Sequence, residues 1–148
     1  MNLSKTSQYA LKIMNYMAVN DGDNFTSHNL HEKLKIPHQY LRRLLTKLSN
    51  NGLIKGGKGR KGGYVFAKSI KKIFLSDILE ATGESEIFNS CIFGFEDCLL
   101  FEECKIHNKW AKARENILEI LSTTNLGHLK SKKAKSNKKH IKKFKNQK

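Results

Sequence analysis

The sequence predicts a mainly α-helical fold with one small β-hairpin, on three observations. Apolar residues recur at helical spacing in several separate segments, a glycine-rich stretch lies between two short β-prone runs, and capping residues punctuate the joins. Residues 4–19 read as the first helix, with Leu11, Met14 and Ala18 at 3–4 spacing and Ile13 and Met17 beside them. Asp21-Gly22-Asp23-Asn24 reads as a turn. Ser27 is expected to cap a short helix carrying Leu30 and Leu34. Ile36-Pro37 interrupts it, and Pro37 suits the first turn of the next helix. That helix has the clearest period in the chain, Leu41, Leu44, Leu45 and Leu48, and Asn51-Gly52 is expected to end it.

Leu53-Ile54-Lys55 and Tyr64-Val65-Phe66 flank the glycine-rich stretch from Gly56 to Gly63 and read as a hairpin with a long loop. Ser76 is expected to cap a short helix that Gly83 terminates. Residues 84–103 carry two cysteines and four phenylalanines without clear periodicity. A long helix is expected from Lys105 to Leu121, where Ile106, Trp110, Ala113, Ile117 and Ile120 step 4, 3, 4, 3, an a/d seam. Beyond Leu129 the chain is lysine-rich and of low complexity, and is expected to be disordered. The implied organisation is a domain of helices and hairpin over 1–83, a cysteine-containing loop over 84–104, a long helix and following segment over 105–129, and a tail over 130–148.

Helix, short helix, turn, leucine-faced helix and glycine-rich hairpin, in that order, form a winged helix-turn-helix. With the four leucines buried, the opposite face offers Gln39, Arg42, Arg43, Thr46 and Lys47 to a major groove. Arg can hydrogen-bond guanine through two N–H groups, and Gln can do the same for adenine. Lys55, Lys58, Arg60 and Lys61 on the hairpin suit phosphates or an adjacent minor groove. The chain has 24 Lys and only 4 Arg, yet three of those Arg fall on these two elements. In a chain that otherwise prefers Lys, this placement points to the planar guanidinium fork. The glycine-rich loop lacks a Gly-Lys-Ser/Thr ending and opens no helix, which argues against a nucleotide-binding loop.

The formal net charge of +15 points to polyanionic partners, double-stranded DNA first. It is unevenly spread: +9 over residues 1–83, −6 over 84–103, +2 over 104–129 and +10 over 130–148. No apolar run approaches the roughly 20 residues that span a bilayer, and the N-terminus lacks an apolar signal core, so a cytoplasmic protein is expected. Cys91, Cys98 and Cys104 follow a C-x6-C-x5-C spacing, with His107 three residues further on. Three thiolates and an imidazole make a four-ligand metal set. Structural zinc accepts Cys3His but usually includes a C-x2-4-C pair, absent here. The wide spacing better suits an iron–sulfur cluster, and three buried thiols beside an unrelated His is the plainer alternative. Nothing resembles an oxyanion hole or a third group orienting a Cys–His nucleophile, so no catalytic residue is expected.

Met1-Asn2-Leu3-Ser4-Lys5 leading to Tyr9-Ala10-Leu11, then Ile36-Pro37-x-x-Tyr40-Leu41, Asn51-Gly52-Leu53-Ile54 and Gly62-Gly63-Tyr64, resemble the Rrf-type winged-helix regulators of bacteria along residues 1–129. The resemblance implies a dimeric transcription factor, often a repressor, whose DNA affinity or site choice changes with an iron–sulfur cluster. Cys104-Lys105-Ile106-His107-Asn108-Lys109-Trp110 is most similar to the IscR branch, which implies a 2Fe–2S cluster with His107 as fourth ligand. The NsrR branch is second. It more typically holds a 4Fe–4S cluster, reads nitric oxide and takes a ligand from an acidic residue of the first helix, where Gln8 stands here.

The first cysteine interval is one residue longer than in IscR-like proteins. Arg42 and Arg43 stand where IscR carries Glu and Gln, Lys58 where a wing Arg is common, and Arg60-Lys61 where Pro-Gly is usual. The preferred bases should therefore differ. The seam from Ile106 to Ile120 is expected to join two copies, because helix-turn-helix operators carry two half-sites. The alternatives are a winged-helix regulator with structural zinc or no metal, and a basic nucleic-acid-associated protein.

Overall fold

The computed structural model describes residues 3–20, 23–57, 62–84, 91 and 104–130. Helix α1 (Lys5–Val19) is capped by Ser4, whose Oγ accepts the Ser7 N–H at 3.2 Å, and it buries Ala10, Ile13, Met14, Met17 and Ala18. Helix α2 (Ser27–Leu34) is capped by Thr26 rather than by Ser27. Thr26 keeps the extended backbone of a cap (φ −83°, ψ 155°) and its Oγ1 accepts the Asn29 N–H at 3.0 Å, while Ser27 is already helical. The helix closes on Lys35 in the left-handed region (φ 55°), and His31 Nδ1 bonds the Ile36 carbonyl at 2.7 Å, fixing the turn into the next helix.

Helix α3 (His38–Asn50) starts one residue later than its proline suggests. Pro37 is the cap, with ψ 131° outside the helical range, and its carbonyl accepts the Leu41 N–H at 2.9 Å. Leu41, Leu44, Leu45 and Leu48 are buried along one face, as their spacing requires. Gly52 takes φ +67° after the Asn51 cap. A Cβ there would meet nothing within 4 Å, so backbone conformation rather than space calls for glycine. Strands β1 (Ile54–Gly56) and β2 (Tyr64–Phe66) pair antiparallel, with Ile54 opposite Phe66 and Gly56 opposite Tyr64. Phe25 adds a single bridge beyond β2: its N–H reaches the Tyr64 carbonyl at 3.3 Å and its carbonyl accepts the Tyr64 N–H at 2.7 Å. The hairpin is thereby tied to the start of α2.

A 3₁₀ turn (Ile70–Lys72) leads into α4 (Leu75–Thr82). Ser76 does not cap α4. It lies inside the helix, and the end is held by the Asp77 carboxylate, which accepts the Phe74 N–H at 3.0 Å. An acid at the third helical position also meets the positive end of the helix dipole. Helices α1 and α4 meet across a buried hydroxyl pair, Ser7 Oγ and Thr82 Oγ1, 2.6 Å apart. Thr82 donates its proton to the Leu79 carbonyl at 2.7 Å, so Ser7 is the donor between the two.

Helix α5 (His107–Thr123) is shifted two residues from its expected position, because Lys105 and Ile106 form the turn that precedes it. A further short helix, α6 (Leu126–Leu129), was not visible in the sequence. It forms because the chain docks there. The Leu126 N–H bonds the Ile73 carbonyl at 2.9 Å, the Leu75 N–H bonds the Thr124 carbonyl at 3.0 Å, and the Leu126 side chain is fully buried with α1 and the 3₁₀ turn against it. Met14, Met17, Leu30, Ile36, Leu45, Ile54, Ile73 and Ile78 complete a core at the meeting point of α1–α4 and the hairpin. The expected disordered tail lies outside the described residues from 131 onward.

Candidate nucleic-acid interface and cysteine segment

Burial of the four leucines leaves Gln39, Arg42, Arg43, Thr46 and Lys47 exposed together on the outer face of α3. At 3.6 residues per turn, Gln39 and Thr46 lie near the middle of that face, with Arg42 on one flank and Arg43 and Lys47 on the other. The ion pairs among the described residues are His31–Glu32 and Lys68–Asp77, so no described acid pairs with Arg42, Arg43 or Lys47. Thr46 Oγ1 donates to the Arg42 carbonyl at 3.0 Å. Its methyl group and an acceptor lone pair are what remain to face a ligand.

On the Arg43 and Lys47 flank, α3 and α1 enclose a cleft of about 250 Å³ lined by Thr6, Tyr40, Arg43, Leu44 and Lys47. The Thr6 and Tyr40 hydroxyls hydrogen-bond to each other, Tyr9 packs edge-on against Tyr40 at 5.7 Å between ring centres, and Lys12 Nζ lies 5.6 Å over the Tyr9 ring. Sequence reasoning did not single out Thr6 or Tyr40 as site residues. They are 34 positions apart, and no periodicity joins them.

On the hairpin, Lys55 is exposed opposite Val65, while Lys58, Arg60 and Lys61 lie outside the described residues. The base of the loop is closed by the Gly57 N–H donating to the Gly63 carbonyl at 2.7 Å. Gly63 is a close approach: a Cβ there would stand 2.8 Å from Asn24 Cγ and nearer still to its Oδ1.

Of the expected metal ligands, Cys91 and Cys104 are half-buried free thiols, and Cys98 lies outside the described residues. His107 opens α5, and its N–H donates to the Cys104 carbonyl at 3.1 Å, so one turn links the two. Among the described residues, no three His, Cys, Asp or Glu side chains gather as a metal site. Three thiols and an imidazole still suit an iron–sulfur centre in donor chemistry, and neither described thiol is committed to a disulfide.

Helix α5 buries no side chain fully and packs mainly on α4. The expected seam divides. Trp110 and Ile117 are half-buried, whereas Ile106 (38% exposed), Ala113 and Ile120 (58% exposed) point outward at seven-residue spacing. Just beyond α4, the Ser4 N–H reaches Glu84 Oε1 at 3.0 Å. Burial pushes the Glu84 carboxyl up, but the hydrogen bonds it accepts, those from Ser4 first, outweigh it and hold the group below the ordinary carboxylate range. Among the described residues, no helix is long and apolar enough to cross a membrane.

The family model described as Rrf2, iron-dependent transcriptional regulator, matches residues 3–132. The helix-turn-helix transcriptional regulator IscR of Xenorhabdus nematophila is 28% identical over 130 residues, covering 87% of this chain and 79% of that one. Among solved structures, CymR, the global cysteine regulator of B. subtilis, is 25% identical with a TM-score of 0.71, covering 88% and 97% of the two chains. The IscR of T. potens shares the fold with a TM-score of 0.66 at 23% identity, over 87% and 85%.

Proposed function

The chain belongs to the Rrf2 family of transcriptional regulators, and from that premise we propose that it works as a homodimer that couples iron–sulfur status to operator binding. As its relatives are, it is a DNA-binding regulator and not an enzyme. The observation that carries the reading is the outer face of α3. Four buried leucines hold Gln39, Arg42, Arg43, Thr46 and Lys47 outward, and no anion of the described protein neutralises the cations. In the proposed complex α3 enters a major groove, while the hairpin, through Lys55, Lys58, Arg60 and Lys61, follows the phosphates beside it. Two copies meet along α5 through Ile106, Ala113 and Ile120, with Trp110 and Ile117 supporting that face from the side packed on the fold. The protein acts in the bacterial cytoplasm, as a repressor.

Cys91, Cys98, Cys104 and His107 would hold the cluster, of the 2Fe–2S type. Bound there, a cluster supplies a centre whose presence and charge follow iron supply and oxidants. His107 is favoured as fourth ligand over Gln8, whose amide is neutral and donates to the Leu3 carbonyl at 2.6 Å. The chain's own part is mechanical. Cys104 and His107 flank the start of α5, α5 rests on α4, and α4 packs on both α1 and α3. A change in the cysteine segment is thus two helices away from the reading face. Anaerobic purification tests the cofactor: a coloured protein with matching iron and sulfide supports it, and stoichiometric zinc refutes it. Selection of binding sites from random DNA with loaded and metal-free protein tests the coupling, which fails if both forms select the same sites with the same affinity.

A further inference from the structure

We propose that the cleft between α1 and α3 seats one phosphodiester of the DNA backbone, with Arg43 and Lys47 supplying charge and the Thr6–Tyr40 hydroxyl pair supplying the remaining hydrogen bond. The inference rests on the DNA-binding reading and divides the labour within α3. Arg43 and Lys47 position the protein, and Arg42, with Gln39 and Thr46, reads bases.

Four features of the cleft converge on an oxyanion. Its volume, about 250 Å³, holds a phosphate group with water to spare. Two of its five lining side chains are cations with no acid among the described residues to pair with. Two more are hydroxyls that use one of their two protons on each other, which leaves the second proton to donate outward. The fifth, Leu44, is buried and gives the cleft an apolar side, so its polar lining comes from the other four.

The aromatic packing explains why the hydroxyl is fixed in place. Tyr40 is braced by its T-shaped contact with Tyr9 and by the hydrogen bond to Thr6, so its hydroxyl is held in one place beside the cleft before any ligand arrives. A donor fixed in advance binds an anion without the entropy cost of ordering a free side chain. The location decides the source of the anion. The cleft opens along the flank of α3 next to the exposed face that carries Gln39 and Thr46, where the backbone bordering a major groove would run. A phosphate held there would set the depth and tilt of α3, and so which bases Arg42 can reach.

The experiment titrates the protein against its selected operator and against unrelated duplex DNA, over a salt series, by fluorescence anisotropy. Lys47→Ala should weaken both DNAs by similar factors and lower the steepness of log affinity against log salt by about 0.9 per half-site, the value for one lost phosphate contact. Tyr40→Phe keeps the ring packing and should weaken both DNAs several-fold with base preference intact. Arg42→Ala should instead narrow the gap between operator and unrelated DNA. Methylphosphonate substitution, which neutralises one phosphate at a time, should find one position per half-site that weakens wild type but not Lys47→Ala.

An unchanged salt slope in Lys47→Ala, or an equal methylphosphonate penalty in wild type and variant, overturns the seat while leaving DNA binding intact. Wild-type protein that selects no sequence at all overturns both readings. Inorganic phosphate alone should leave the amide NMR signals of Thr6 and Lys47 in place at millimolar concentration. Saturable shifts there would make free phosphate the occupant and overturn the backbone assignment.

Discussion

Gly63→Ala is a substitution whose effect can be worked from geometry. The backbone at Gly63 is not in the left-handed region, so alanine meets no torsional objection there. The obstacle is Asn24. The new methyl carbon would stand 2.8 Å from its Cγ and 3.0 Å from its Nδ2, where ordinary contacts begin near 3.4 Å. Either Asn24 leaves its place or the hairpin moves away from the segment that leads into α2. The second course breaks the paired hydrogen bonds between Phe25 and Tyr64, each worth about 0.5–1.5 kcal/mol. Overpacking of this kind costs roughly 1–3 kcal/mol in general, so we expect a loss of about 1–2 kcal/mol in urea unfolding. DNA affinity should fall too, since the hairpin changes its angle to α3. Asn24→Ala makes room for the methyl group. The double variant should therefore recover most of the affinity lost by Gly63→Ala, with a coupling of about 1 kcal/mol. A Gly63→Ala protein of wild-type stability and affinity, or a double variant no better than the single one, would refute the steric account.

Leu126→Ala removes a fully buried side chain that brings α6 onto α1, and should cost roughly 2–5 kcal/mol in chemical denaturation; a loss below about 1 kcal/mol would mean that α6 is not part of the core. Glu84→Gln should be less stable than wild type at neutral pH. Because the folded carboxyl lies below its ordinary range, that difference is present above the unfolded carboxylate range and should shrink as pH falls through the folded value; a gap that widens in acid contradicts it. His107→Ala, purified anaerobically, should lose or alter the visible absorption of the proposed cluster, and an unchanged spectrum places the fourth ligand elsewhere.

Helix α3 and the hairpin were legible in the sequence because their signals are local: four leucines at one period, and two β-prone runs around glycines. The helix ends were less so. Thr26 and Ser27 are adjacent hydroxyl residues of the same capping chemistry, and only backbone angles decide between them. At α4 the side-chain acceptor is Asp77 at the third helical position, so a search for a hydroxyl at the cap settles on Ser76 instead. Helix α6 has four residues and no period, and it exists through tertiary contacts made by Leu126. The 4, 3, 4, 3 steps along α5 put five residues on one stripe, and in the fold Trp110 and Ile117 are half-buried while Ile106, Ala113 and Ile120 are exposed. The α1–α3 cleft escaped notice for a related reason: it is assembled from residues far apart in sequence whose types are individually unremarked.

The most direct test is a comparison of operator preference between wild type and Arg42→Ala, each given the same pool of random duplex DNA. With α3 as the reading element, wild type enriches a two-fold symmetric sequence, and Arg42→Ala loses discrimination at one base pair of each half-site by about 1–3 kcal/mol. Identical base preferences in the two proteins would contradict the placement of Arg42 in the groove.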